Sequence, residues 1–199
     1  MAQLDKAALR LLDREGVVRA RELEALGHSR AGIARLLDQG VLERVGRGLY
    51  VLPGRQVPAN YALARAAKRV PRGVVCLLSA LQFHGMTTQL TRDVWIAIGE
   101  RDWRPASEEP RIRTVRFSSL SLQEGITTHR VDGVPVRIFN PAKTIADCFK
   151  YRNKLGLDVA IEALRDGLRQ RKCTVDELWR YAKVDRVSAV MRPYMEALA

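Results

Sequence analysis

The chain has 199 residues, of which 47% are hydrophobic and 28% are charged. This composition supports one ordinary globular domain or two small ones, and it excludes a natively disordered chain. No apolar run approaches the roughly 18 residues that a membrane helix needs, and the first residues lack the apolar core of a signal peptide, so we expect a cytoplasmic protein without a membrane segment. The net charge of +12 favours a polyanionic partner, with nucleic acid the leading candidate.

Hydrophobic periodicity divides the first 55 residues into short elements. The pattern predicts three short helices followed by two β-rich runs: residues 4–15, about 19–27 and 30–39, then 41–45 and 49–52. Gly46, Arg47 and Gly48 lie between the two runs and are typical of a hairpin turn. The N-terminal part of the chain therefore ends in a β-hairpin that directly follows a helix.

The third predicted helix has one apolar and one polar face. Ser29 precedes it as an N-cap, and Gly40 follows it where a left-handed C-terminal residue belongs. Ile33, Leu36 and Leu37 form the inward stripe. The outer face combines small residues with two arginines: Arg30, Ala31, Ala34, Arg35 and Asp38.

Three short helices followed by a hairpin predict a winged helix-turn-helix domain over residues 1–55. In that arrangement the third helix enters the DNA major groove, and the hairpin lies beside it on the backbone. The arginines expected to contact DNA come from all three parts: Arg19, Arg21, Arg30, Arg35, Arg44 and Arg47. A protein-interaction module is the alternative, because helix-hairpin units also serve that purpose and surface arginines are often merely solvated.

Residues 56–199 are expected to form a second domain after a linker at 56–60. The predicted helices are 61–69, 79–85, 141–151, about 155–171 and one that begins at a Thr174–Glu177 capping box. The predicted strands are 93–98, 112–117, 126–131 and 134–139. This order predicts an α+β or α/β domain with a mixed sheet and C-terminal helices.

One basic stripe in the second domain has two interpretations. Arg165, Arg169 and Lys172 share a helical face and could bind a polyanion. They could equally be cations placed near a helix C-terminus, which is the interpretation we prefer.

The sequence contains few residues in the patterns that catalytic or metal sites require. The three histidines have no metal-ligand spacing, and the three cysteines are isolated and are expected to be buried thiols. Asp93, Glu100 and Asp102 form the one acidic grouping that could hold Mg²⁺ for a nuclease or nucleotidyltransferase-like reaction, and they define the alternative function. Nuclease sites commonly pair such acids with a lysine two positions later, and no acid of this chain has a lysine at that spacing. We therefore expect that the protein is not an enzyme and that it binds neither a metal nor a cofactor.

Two segments resemble a known family. Residues 40–51, GVLERVGRGLYV, and residues 140–150, NPAKTIADCFK, are similar to the AbiEi family, the antitoxins of type IV toxin-antitoxin systems and related regulators of viral (phage) defence. The winged-helix segment is shared with many regulators. Its combination with the helix that contains Thr144, Asp147 and Cys148 is much more specific, and the resemblance extends over nearly the whole chain.

The resemblance implies an N-terminal domain that binds inverted repeats of double-stranded DNA in its own promoter and represses the operon, which is compatible with a homodimer on DNA. It also implies a C-terminal domain that counters a nucleotidyltransferase toxin without forming a stable complex. The residues that match the family's recognition helix and wing are Ser29, Arg30, Arg35 and Arg47. Lys143, Thr144 and Asp147 match the C-terminal motif, whose role the resemblance leaves open. From the residues alone, they form a helix start and an i, i+4 pair worth a few tenths of a kcal/mol.

Overall fold

The computed structural model of the chain describes residues 3–54, 60–91, 93–105 and 110–198. It contains two compact units: Met1–Pro71 with Pro105–Arg111 and His129–Val136, and Arg72–Arg104 with Ile112–Thr128 and Arg137–Ala199. These units differ from the expected division at residues 55 and 56, because the first unit also takes in a following helix and two later segments. The expected linker lies mostly outside the described residues. Over the described part of the chain, no helix is long and apolar enough to cross a membrane.

The first unit contains four helices and a small sheet among its described residues. The helices are α1 (Lys6–Glu15), α2 (Ala20–Ala25), α3 (Arg30–Asp38) and α4 (Tyr61–Arg69). The strands are β1 (Val18–Arg19), β2 (Glu43–Gly46) and β3 (Leu49–Val51), with β3 in the centre and antiparallel to both neighbours. The helices before residue 54 and the hairpin β2–β3 agree with the sequence prediction, within two residues at most ends.

Local signals explain the ends of these helices. Asp5 caps α1 by accepting a hydrogen bond from the Ala8 amide at 2.7 Å, and Gly16 ends it with a positive φ of 68°. Leu12, Leu23 and Leu36 from α1, α2 and α3 are fully buried in one cluster. The three helices are therefore held together by a common apolar core.

The second unit is built on a five-stranded sheet. Its strands are β4 (Val74–Val75), β5 (Val94–Gly99), β6 (Ile112–Phe117), β7 (Ile126–Val131) and β8 (Val134–Phe139), in the order β6-β5-β4-β8-β7. β5 is parallel to β6, β4 is parallel to β8, and β4 is antiparallel to β5. The sheet is therefore mixed, as predicted, and the outer part of the β7–β8 hairpin belongs to the first unit.

Helices precede and follow this sheet. They are α5 (Leu77–His84), α6 (Ser119–Gln123), α7 (Pro141–Lys150), α8 (Arg152–Leu155), α9 (Leu157–Arg169), α10 (Val175–Val184) and α11 (Ser188–Leu198). The fold is α+β, which confirms the predicted class. The helix expected from about residue 155 to 171 is α9, which begins at Leu157 because Gly156 adopts a φ of 103° and separates it from the short helix α8.

Candidate nucleic-acid interface

Helix α3 presents the two faces that the sequence predicts. The Ser29 hydroxyl accepts a hydrogen bond from the Gly32 amide at 3.1 Å, so Ser29 is the N-cap of this helix. Ile33 and Leu36 are buried in the core of the unit. All five residues predicted on the outer face are exposed: Arg30, Ala31, Ala34, Arg35 and Asp38. Small residues on this face leave room for a close approach of the helix to a partner.

A groove of about 510 Å³ lies between α3 and the β2–β3 hairpin, and we call it the α3 groove. Four of the predicted arginines line it: Arg21 from α2, Arg30 from α3, and Arg44 and Arg47 from the hairpin. Ala34 and Tyr50 contribute apolar surface to its walls. The structure thus brings together arginines that are up to 26 residues apart in sequence, on one concave surface.

Two of these arginines are positioned by neighbours. The Arg30 Nε donates to a Glu24 carboxylate oxygen at 3.0 Å, while its side chain remains 90% exposed. The Arg44 Nε donates to the Gly46 carbonyl at 3.2 Å. Because an exposed ion pair is held weakly, Arg30 can exchange Glu24 for a phosphate or a base edge at little cost in free energy.

Arg35 and Arg19 lie outside the α3 groove. Arg35 is exposed on α3 but is not among the residues that line the groove. The Arg19 amide donates to the Glu22 carboxylate at 2.6 Å at the start of α2, and its side chain is half-buried. Burial, followed by the neighbouring charge of Arg21, lowers the pKa of Arg19. Arg19 is therefore crowded by positive charge rather than solvated.

The structure also shows residues of this unit that the sequence reasoning missed. Lys68 on α4 is buried, and its ammonium lies 2.6 Å from a Glu22 oxygen and 3.6 Å from a Glu15 oxygen. These partners are 46 or more residues away in sequence. Local periodicity contains no signal for such a pair, because the sequence shows only a cation on a short helix.

Lys143, Thr144 and Asp147 of the C-terminal motif are fully buried in the second unit. The Lys143 ammonium contacts the Asp147 carboxylate and lies 3.2 Å from an Asp185 oxygen and 3.3 Å from the Ser121 hydroxyl. The expected value of a few tenths of a kcal/mol for an exposed pair is therefore wrong, because burial removes the solvent screening on which that value depends. The motif builds an internal polar cluster.

The pKa values of the two acids in this cluster, Asp147 and Asp185, are shifted in opposite directions. Burial, reinforced by the neighbouring Asp185, raises the pKa of Asp147 against the effect of Lys143. Burial also acts to raise the pKa of Asp185, but Lys143 and hydrogen bonds from Asp147 and Ser121 outweigh it, so that pKa is lowered. Lys143 and its hydrogen-bonding neighbours thus favour the charged form of Asp185, whereas burial disfavours the charged form of Asp147.

The three acids of the alternative function do not form a metal site. Asp93 pairs with Arg113, and Asp102 pairs with Arg72 at 2.7 Å and accepts from the Gly99 amide. Glu100 is exposed. Among the residues that the structure describes, no three potential ligands come together. The geometry therefore does not favour metal-dependent chemistry at these positions.

The basic stripe of the second unit is largely engaged by the protein itself. Arg169 pairs with Asp166 at 2.8 Å, and the Lys172 ammonium donates to the carbonyls of His84 and Gly85 at the end of α5. A cation at a helix C-terminus stabilises the helix dipole. The position of Lys172 therefore supports the preferred interpretation of this stripe.

Three helices joined to an antiparallel sheet with a terminal hairpin define the first unit as a winged helix-turn-helix. Residues 6–53 match the family described as "Transcriptional regulator, AbiEi antitoxin". This match confirms the resemblance over that segment of the chain.

A solved structure extends the comparison over the whole chain. The fold is similar to the crystal structure of the RV2827C protein from Mycobacterium tuberculosis, with a TM-score of 0.63 and 14% sequence identity. The match covers 100% of this chain and 82% of that chain. At this identity the likeness concerns the fold alone. None of the curated proteins compared with the chain matches it.

Proposed function

We propose that this protein is a cytoplasmic, non-enzymatic transcriptional repressor whose α3 helix and β2–β3 hairpin bind double-stranded DNA. The observation that carries the proposal is the α3 groove, which brings four arginines together beside Ala34 of the exposed α3 face. Such a helix can enter the major groove, and cations on the adjacent hairpin can contact the phosphates.

The finer part of the proposal concerns the biological role. The protein represses its own operon at inverted repeats and acts as the antitoxin of a type IV, AbiE-like system. The match of residues 6–53 to an AbiEi regulator and antitoxin family supports the coarser part of this proposal, a transcriptional regulator or antitoxin. Its functional partner would be a nucleotidyltransferase toxin that it counters without a stable complex. The second unit, with its buried Lys143 cluster, would carry the antitoxin activity, because its fold is separate from the DNA-reading helix.

DNA binding is tested by measuring the affinity of the full chain for a fluorescent duplex from its own promoter and for a scrambled duplex. We expect tighter binding to the promoter and a linear fall of log affinity with log salt concentration. Equal, salt-independent or absent binding to both duplexes would contradict the proposal. A protein-interaction module predicts that last outcome.

The antitoxin role needs a separate experiment. The chain is co-expressed with a nucleotidyltransferase toxin of an AbiE-like system, and growth is compared with that of cells expressing either gene alone. We expect rescue of growth without co-purification of the two proteins. No rescue, while DNA binding is intact, would limit the function to transcriptional regulation.

A further inference from the structure

A second concave surface lies on the first unit beside the α3 groove. It has a volume of about 360 Å³ and is formed by the start of α2, the hairpin and the end of α4. We call it the basic pocket, because five cations line it: Arg19, Arg21, Arg47, Lys68 and Arg69. Among the described residues that line the pocket, none is acidic.

Two of these cations are already held by partners outside the lining. Lys68 lies 2.6 Å from Glu22 and 3.6 Å from Glu15, and the Arg69 guanidinium donates to the Pro110 carbonyl at 2.8 Å. These contacts fix the wall of the pocket at the end of α4. Neither Glu15 nor Glu22 is among the residues that line the pocket.

Arg19 differs from these two cations. One of its terminal nitrogens, Nη2, is buried and has no hydrogen-bond partner within the described part of the chain. A buried donor without an acceptor costs free energy, and the cost is greater for a charged group. Burial and the like charge of Arg21 lower the pKa of Arg19, although the neighbouring Glu22 acts in the opposite direction. An anion against the exposed part of this half-buried guanidinium would add a compensating negative charge.

The chemistry of the lining selects the kind of anion. A guanidinium presents its N–H groups in a planar fork that matches the oxygens of a phosphate. Arg21 and Arg47 line both the α3 groove and the basic pocket, so the two surfaces are continuous. A duplex whose major groove receives α3 would therefore carry its sugar-phosphate backbone past the mouth of the pocket.

We infer that the basic pocket binds a phosphate group through Arg19, and that this phosphate belongs to the backbone of the DNA whose major groove receives α3. This inference rests on the proposed function. It assigns to Arg19, which the sequence already predicts as a DNA contact, a backbone phosphate bound from the start of α2, outside the recognition helix. A free phosphate in solution has the same chemistry, and the two sources give different results in the experiment below.

The test measures the affinity of full-length variants for the promoter and scrambled duplexes over a range of KCl concentrations. Arg19→Gln removes the phosphate ligand, and Arg10→Gln is the matched control, because Arg10 is an exposed α1 cation outside both linings. With a salt dependence of about 0.9 per phosphate, the loss of one contact weakens binding about eightfold at about 0.1 M salt. We expect this loss for both duplexes, with a salt slope lower by about 0.9.

Arg19→Lys separates a binding role from a folding role. It keeps the positive charge and loses the fork, so we expect a smaller loss than for Arg19→Gln in the same direction. Thermal melting without DNA shows that each variant is folded. If Arg19→Gln binds DNA as Arg10→Gln does, while a groove variant such as Arg30→Ala is impaired, the DNA contact at Arg19 is refuted and the proposed function stands.

A second measurement identifies a free-phosphate site. The melting temperature of the wild type is compared in inorganic phosphate and in chloride at equal ionic strength. If the wild type fails to bind DNA but is stabilised by phosphate, and Arg19→Gln is not, the pocket binds free phosphate and the proposed function fails separately. If Arg19→Gln changes neither DNA binding nor the effect of phosphate, the inference is overturned.

Discussion

Replacing Lys143 by methionine is a direct test of the buried polar cluster in the second unit. Lys143 is 0% exposed, and its ammonium contacts Asp147, Asp185 and Ser121. Two phenylalanine rings, Phe117 and Phe139, lie within 5.0 and 4.5 Å of the ammonium. Methionine has a similar length but no charge, so the change removes the cation and leaves the apolar packing largely in place.

The expected cost follows from what remains after the substitution. Asp185, whose lowered pKa keeps it ionised, retains the Ser121 hydroxyl at 2.6 Å and the more exposed Lys150 at 3.4 Å. Removal of one partner of a buried ion pair costs about 3–5 kcal/mol. At about 2–4 °C per kcal/mol for a chain of this length, the melting temperature should fall by about 6–20 °C.

The assay is thermal unfolding followed by circular dichroism, with urea unfolding as a second measurement. Lys150→Met is the matched control, because Lys150 also faces Asp185 but is 27% exposed, so its loss should cost about 1 kcal/mol or less. Adding Asp185→Asn to Lys143→Met removes the uncompensated charge and should recover part of the stability. The reasoning is refuted if Lys143→Met costs no more than Lys150→Met.

Four further predictions concern other parts of the molecule. For DNA binding, Arg30→Ala should cost about 1–3 kcal/mol of binding free energy on the promoter duplex and less on a scrambled duplex. Arg47→Ala should weaken binding to both duplexes equally and lower the salt slope by about one. Equal losses on the two duplexes for both variants would show that neither residue reads bases. Gly133→Ala should destabilise the first unit by about 2–5 kcal/mol in urea unfolding, because φ is 76° and a Cβ would lie 1.6 Å from the Arg14 carbonyl oxygen. Gly40→Ala is the control: φ is 65° but nothing lies within 4 Å of the added Cβ, so the cost should be only about 1–2 kcal/mol. The stability contributed by Asp185 is present above its unfolded pKa of about 3.9 and is lost as pH falls through its lower folded pKa, so Asp185→Asn should flatten the acid limb of a stability–pH curve. Burial raises the pKa of all three thiols, those of Cys76, Cys148 and Cys173. A thiol reagent at neutral pH should therefore label the protein only after unfolding, and labelling of the native chain would contradict the burial of at least one of these cysteines.

Much of the local structure could be predicted from the sequence. The capping residues Ser29 and Gly40 mark the ends of α3, and the period of its apolar residues separates the buried from the exposed face. Strands β6, β7 and β8 begin and end where alternation and turn residues place them. These features depend on contacts between residues a few positions apart, which the linear order of the chain contains directly.

Short elements and long-range pairings were decided by the tertiary structure. β1 has two residues, too few for a recognisable pattern, and it exists because Val18 pairs with Tyr50. The i, i+4 spacing of Lys143 and Asp147 is visible in the sequence. Asp185 lies 42 positions from Lys143, and the local sequence pattern does not predict that the three side chains are buried together. The sequence thus determined most of the longer helices, most strands and the exposed, arginine-bearing face of α3, since each depends on neighbours along the chain. Which charges share a groove, a pocket or a buried cluster was determined only by folding, because electrostatic interaction depends on distance in space and on the exclusion of water.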